Sequence, residues 1–297
     1  MEIETFHHFA IAVWDIEKYR PYFANGFGFE IEQEFVDEQA GTKGIFFKLP
    51  GTNVAPYVIP STPGVETKPL LTVGDLPANN GYRMVGIPDG LGAFLSGRRE
   101  YTLLMNHELG NAQGTVRAHG SKGAFVSKWT IDSRTCEVLR GEDLIRTVHL
   151  WNPITSQYAA GTTAFNRFCS ADLPDEKALR HGRLGTREKL FLNGEETAEG
   201  RAFAHVVTGD YAGQSWELPR LGKLPFENVV ASPNGKRRTI VVGVEDGDLN
   251  TAGARPCQLF IYVGSKQSDG NPVERAGLTN GKLYGVKVTR DGMPVTD

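Results

Sequence analysis

After Gly81 the chain settles into short apolar or alternating runs separated by Gly, Asp, Asn and Pro. That pattern predicts strands and turns. The clearest runs are Tyr101–Met105, Ala124–Ile131, Leu144–Leu150, Lys189–Leu192, Ala202–Val207, Thr239–Val244, Gln258–Val263 and Lys282–Val288. Few segments of this stretch support a helix, and the best, Asp175 to Arg180, is short. Many short strands at turn-bounded intervals imply a sandwich, a barrel or a propeller. No repeat of the WD or kelch type chooses among them.

The first part reads differently. His8–Val13 predicts a strand, Asp15 an N-cap, and Ile16 to Asn25 a helix closed by Gly26. Phe29–Phe35 and Gly44–Leu49 predict two further strands. The proline-rich stretch NVAPYVIPSTPGV, with one short strand at Leu70–Val73, then connects to the later pattern. The expectation is a mainly β protein, with a short α+β fragment over 1–50 preceding a β domain over 51–297.

Composition narrows the function classes. Of the 297 residues, 40% are hydrophobic and 23% charged, as in ordinary globular proteins. A net charge of -3 argues against a general nucleic-acid binder. The three cysteines, Cys136, Cys169 and Cys257, are too few and scattered for a disulfide framework or a CxxC zinc site. No apolar run is long enough to span a membrane. The amino terminus carries acids where a signal peptide needs a basic region, so the chain as written reads as cytoplasmic.

The candidate chemistry lies between Asn166 and Glu196. Cys169 sits in a polar-flanked segment, and the adjacent Glu195 and Glu196 follow the apolar run Leu190–Leu192. A thiolate and carboxylates brought to one point make a mixed soft and hard site for a transition metal, with oxygens to spare for calcium. The competing reading is a buried structural cysteine and an exposed acidic turn. Cys136 and Cys257 read as structural, Trp129, Trp151 and Trp216 as packing, and Lys236-Arg237-Arg238 as a solvated turn.

The segments GYRMVGIPDGLGAF, YTLLMNHELG, TVRAHGSKGAFVSKWTI, RFCSADLP, KLFLNGEETAEGRAFAHV, FENVVASP and VVGVEDGD resemble, in order, the PhoX-like phosphatase family. The resemblance covers about residues 55–297. It implies a β-propeller with an iron (Fe3+) and calcium (Ca2+) cluster in its channel, acting on small phosphate monoesters. On the matching positions, Cys169 takes the place of the iron-ligating cysteine, and Glu195 and Glu196 that of the metal-ligating acid pair. Glu108, Glu227, Glu245 and Asp246 fall where the family has further carboxylates. Arg117, His119 and Arg201 are the candidates to stabilise phosphoryl oxygens.

The chain departs from the family in the SADLP wording after Cys169, in Phe226 where the family often has His, and in its length, short of a full propeller. An incomplete propeller leaves open edges for self-association. Family members are often exported. Two alternatives stay open: a non-catalytic, calcium-stabilised propeller that binds a partner, and a divergent propeller enzyme that alkylates phenols or carboxylates with alkyl halides. The wording HFAIAVWDIEKYRPYFANGFGFEIEQEF resembles the start of a vicinal-oxygen-chelate module of the glyoxalase and 4-hydroxyphenylpyruvate dioxygenase type, which makes His7 or His8 a metal-ligand candidate.

Overall fold

A computed structural model describes residues 80–247 and 257–290, together with 58, 61–65, 67 and 69–75 and the backbone of 30–37, 42–48 and 293–294. The expected first strand and helix, with His7 and His8, lie outside the described residues. The chain divides into two compact units, Met1–Val85 with Thr135–Arg140, and Gly86–Arg134 with Gly141–Asp297.

In the first unit, β1 (Glu30–Asp37) and β2 (Thr42–Lys48) form an antiparallel hairpin with Phe35 opposite Gly44. The register shifts between Ile31 and Gln33, as a bulge does. The strand expected at Leu70–Val73 does not form. The backbone N–H of Thr72 donates to Asp75 Oδ2 at 2.6 Å, and that of Asp75 to the Thr72 carbonyl at 2.9 Å. An Asp that binds its own nearby backbone offers an alternative to a sheet ladder, and here the turn wins.

The second unit begins with β3 (Pro88–Leu95), β4 (Glu100–His107) and β5 (Phe125–Asp132), an antiparallel meander, and β6 (Val138–Asp143) follows in the chain. Next come β7 (Thr147–Asn152), β8 (Gln157–Gly161) and β9 (Phe168–Asp172). The strand expected from Leu144 therefore starts three residues later; the Leu144 N–H bonds the Val126 carbonyl, and Arg146 bonds Gly213, outside any ladder.

A one-turn helix, Glu176–Leu179, falls where the sequence predicts one; the side chain of its N-cap, Asp175, accepts from the Lys177 N–H. A small hairpin of β10 (Arg180–His181) and β11 (Leu184–Gly185) follows. Then come β12 (Leu190–Glu195), β13 (Ala202–Val206) and β14 (Gln214–Glu217). The six longer strands of this stretch share one sheet in the order β8-β7-β14-β13-β12-β9, with β7 and β14 parallel. A last meander comprises β15 (Phe226–Ala231), β16 (Arg238–Glu245), β17 (Leu259–Ser265) and β18 (Lys282–Gly285). A short pair, β19 (Thr289–Arg290) and β20 (Met293–Pro294), follows it.

The protein is mainly β, and among the described residues no sheet closes into a barrel. The four-stranded sheet β15–β18 has the antiparallel meander form of a propeller blade, whereas the six-stranded sheet is joined by the parallel β7–β14 pairing. Every residue of β12 and β13 is buried. Strands covered on both faces need no polar alternation, which is why LFLNGE and AFAHV show none. One apolar cluster gathers Leu190, Leu192, Ala204, Trp216, Phe226 and Tyr262; a second gathers Leu104, Val126, Phe165, Phe168, Phe191 and Phe203. Truncating one of these phenylalanines to Ala should cost about 3–5 kcal/mol.

Candidate metal centre

Three antiparallel pairs present the same end to one place. Pro88 at the start of β3 pairs with His107 at the end of β4; Phe168 at the start of β9 pairs with Glu195 at the end of β12; Phe226 at the start of β15 pairs with Glu245 at the end of β16. Residues just inside or beyond these ends are therefore gathered by topology: Asp89, Glu108, Arg167, Cys169, Glu196, Glu227 and Asp246.

The strands can approach closely because two positions lack a side chain. A Cβ on Gly90 would lie 2.3 Å from the Ala171 nitrogen, and one on Gly194 would lie 2.3 Å from Phe226 Cβ. The first brings β3, with Asp89, against β9. The second brings β12 against β15, with Glu227.

At the centre, Cys169 Sγ, Glu196 and Glu227 each offer a donor atom within 4.8 Å of the others. Cys169 Sγ lies 3.3 Å from Glu227 Oε2 and 3.6 Å from Asp89 Oδ2, and Ser170 Oγ lies 3.4 Å from Glu227 Oε1. Arg167 spans the rim. Its Nε and Nη2 donate to Glu108 Oε1 at 2.9 and 2.8 Å, and Nη2 donates to Glu196 Oε2 at 2.8 Å. Arg167 holds this position with φ 50°, in the left-handed region that a non-glycine residue seldom adopts. Such strain persists only where the surroundings over-determine it. Here the Arg167 N–H is tied to the Leu109 carbonyl and its carbonyl accepts from Glu196.

A buried polar chain fixes the cysteine from behind. His205 Nε2 meets Asn193 Oδ1 at 2.8 Å, Asn193 Nδ2 donates to Asn106 Oδ1 at 2.9 Å, and Asn106 Nδ2 donates to the Cys169 carbonyl at 2.5 Å. With both asparagine amides so oriented, His205 Nε2 carries the proton. Burial, with His119 nearby, holds the His205 pKa down to about 3, so the ring is neutral.

The centre is rich in negative charge, with one guanidinium facing five carboxylates. Burial, then Asp89 and Glu227, push the Cys169 thiol well above its usual range. Glu196 is pushed up to about 8 by burial and by its acidic neighbours Asp246 and Glu108, with Arg167 opposing. Burial also raises Asp89, which the Cys169 hydrogen bond partly offsets. Without a cation these groups share protons, and a cation would enter by displacing them. The donor set fits: one thiolate with carboxylates suits a first-row transition metal, and the surplus oxygens suit a hard cation such as calcium.

The other nominated residues lie elsewhere. Glu195 forms a bidentate pair with Arg201, at 2.8 Å to Nε and 2.9 Å to Nη2, and also accepts from the N–H groups of Asn166 and Arg201. Its two oxygens are thus taken by the protein, and its adjacent partner Glu196 is the one that reaches the cluster. Glu245 Oε2 accepts from the Gln258 N–H at 3.2 Å. Arg117 pairs with Asp143 at 3.6 Å and sits 3.7 Å over the Phe125 ring. His119 is buried beside Phe165, its ring centroid 4.9 Å away, and burial lowers its pKa. Among the hydrogen bonds and ion pairs of Arg117, His119 and Arg201, none reaches Cys169, Glu196 or Glu227.

Sequence reasoning did not nominate Asp89, Arg167 or Ser170. The signals were there: a Pro-Asp-Gly turn at the mouth of a strand, and polar residues flanking Phe168-Cys169 on both sides. Cys257 is exposed and accepts from the Gly247 N–H, Trp129 and Trp216 are buried, and Lys236 turns the chain with φ 51°.

No protein-family model matches the chain. No curated protein matches it either. Among solved structures, it is similar to Pseudomonas fluorescens PhoX in complex with vanadate, a transition state analogue, with 11% identity and a TM-score of 0.48. The match covers 73% of this chain and 50% of that one, so this chain spans about half the length of that protein.

Proposed function

We propose that the protein is a metal-dependent hydrolase of small phosphate esters, with Cys169, Glu196 and Glu227 holding the cation. The convergence of a thiol and two carboxylates from three strand ends within 4.8 Å carries the reading. The ordered family-like segments give the substrate class and suggest iron with calcium. Asp89, Glu108 and Asp246 supply further oxygens around the same point. A bound cation would supply Lewis-acid polarisation of phosphoryl oxygens. The chain's own part is to hold and orient. Arg167 sets Glu108 and Glu196, and its Nη1, which makes no hydrogen bond among the described residues, is left as a cationic donor for an arriving ester.

A second reading is a cation-stabilised module without catalysis. The placement of Arg117 and Arg201 favours it, since each is paired with a carboxylate, and His119 lies buried against Phe165. One experiment separates the two: elemental analysis and p-nitrophenyl phosphate turnover, for wild type beside Cys169→Ala and Glu227→Gln. Metal and turnover, both lost in the variants, support the hydrolase. Metal without turnover supports the structural module. Protein that takes up neither iron nor calcium on reconstitution defeats both.

A further inference from the structure

The helix Glu176–Leu179, the β10–β11 hairpin and the one-turn helix Pro272–Arg275 surround a cleft of about 390 Å³ lined by Arg180, Arg183, Arg187, Arg275, Glu188 and Ser268, with Gly182 and Gly185 between them. That size suits a small molecule. We propose that this cleft binds a compact phosphate-bearing polyanion, and that it does so separately from the acidic centre.

The charges argue for an anion of at least two units. Arg275 Nη2 is neutralised by Glu188, at 2.8 Å to both carboxylate oxygens, and Arg180 is paired with Glu176. Burial opposes the charge on Glu188, but Thr186 and Arg275 outweigh it and lower its pKa from the ordinary value. Arg183 and Arg187 are exposed and have neither ion pair nor hydrogen bond among the described residues. Two further acids adjoin the cleft without lining it: Asp269 accepts from the Ser268 hydroxyl, and Glu274 closes a capping box with Asn271. The lining itself, with Arg180, Arg183, Arg187 and Arg275 against Glu188, carries a positive excess in a chain whose net charge is -3. A single carboxylate would offset only one of the two unpaired positive charges. Planar guanidinium forks match phosphate oxygens in bidentate geometry, so a phosphoryl group or a pair of them satisfies both.

The walls are set in advance. Gly185 donates to the Gln267 carbonyl, Gln267 donates to the Arg275 carbonyl, and Thr186 donates to the Leu179 carbonyl, which ties the hairpin to both helices. A site whose supports are already hydrogen-bonded loses little order when it binds. The cleft also stands apart from the acids. Glu188 precedes β12 and Glu196 follows it, and six extended residues at ~3.3 Å each separate them by about 20 Å. One small ester cannot reach both.

The test is isothermal titration of the full chain with pyrophosphate, in chelator so that no cation at the acidic centre draws the probe. Wild type should bind, with affinity falling steeply as salt rises. Arg183→Gln with Arg187→Gln should weaken binding at least tenfold at an unchanged melting temperature, because both side chains are exposed and uninvolved in the core. Cys169→Ala with Glu227→Gln should bind as wild type does. Absent or salt-insensitive binding in wild type overturns the proposal. So does unchanged binding in the double arginine variant, or loss of binding in the cysteine and glutamate variant; the last would assign the anion to the acidic centre.

Discussion

The thiol of Cys169 on β9 lies 3.3 Å from a carboxylate oxygen of Glu227 on β15, although 58 residues and a change of sheet separate them. Burial and the acids keep the thiol protonated, so it donates to Glu227. Each group alone is ordinary, while together with Glu196, which follows β12, they place three possible metal donors within 4.8 Å of one another. Four expectations follow from this arrangement and its supports.

Arg167 is the cation that keeps Glu108 and Glu196 side by side. In chelator, Arg167→Gln should lower the melting temperature by several degrees, since about 1 kcal/mol corresponds to roughly 2–4 °C in a chain of this size. Added calcium should then raise the melting temperature of the variant more than that of wild type. Equal shifts in differential scanning calorimetry would mean that Arg167 does not hold the acids.

Glu195 and Glu196 are neighbours with different work. Glu195 is nearly buried and bound to Arg201, so Glu195→Gln leaves a guanidinium without its counter-ion. Breaking such a pair costs about 3–5 kcal/mol. Urea unfolding should show that loss while the folded variant still takes up metal. If the folded variant takes up none, Glu195 is itself a ligand.

Gly194→Ala places a methyl group 2.3 Å from Phe226 Cβ, and the strand carrying Glu227 must move. Overpacking of this kind costs about 1–3 kcal/mol. Cation affinity should fall together with stability, because Phe226 and Glu227 shift as one. Stability lost with affinity intact would show that the approach of β12 to β15 does not set the centre.

His205 gives the protein an acid limb. Folded, its pKa lies near 3, below the ordinary value of 6.5, so below pH 6.5 the unfolded chain binds a proton that the folded protein refuses. Stability should therefore be complete above pH 6.5 and fall towards pH 3, by at most about 1.4 kcal/mol per unit. His205→Gln keeps a donor for Asn193 and should flatten this limb, measured as unfolding free energy against pH. An unchanged slope would place the acid sensitivity in other groups, the buried His119 first among them.

Much of the fold was legible because it depends on short-range rules. Runs such as Thr239–Val244 and Ala202–Val207 became β16 and β13, and Asp175 capped the helix expected from Asp175 to Arg180. Strands such as β3, with PDGLGAFL, escaped because glycines interrupt the apolar pattern, and those glycines are present for close approach to β9. Leu70–Val73 failed because Asp75 captured its backbone.

The sequence by itself determined the supply of chemistry: a lone cysteine between polar residues, a pair of adjacent glutamates, and acids at strand ends. Only the tertiary structure decided which of them meet. In a strand, successive side chains point to opposite faces, so of two adjacent glutamates at its end one turns to Arg201 and the other to Cys169. Asp89 and Arg167 joined the cluster because antiparallel pairing brings the start of one strand beside the end of another, a relation between residues far apart in the chain that no local pattern records.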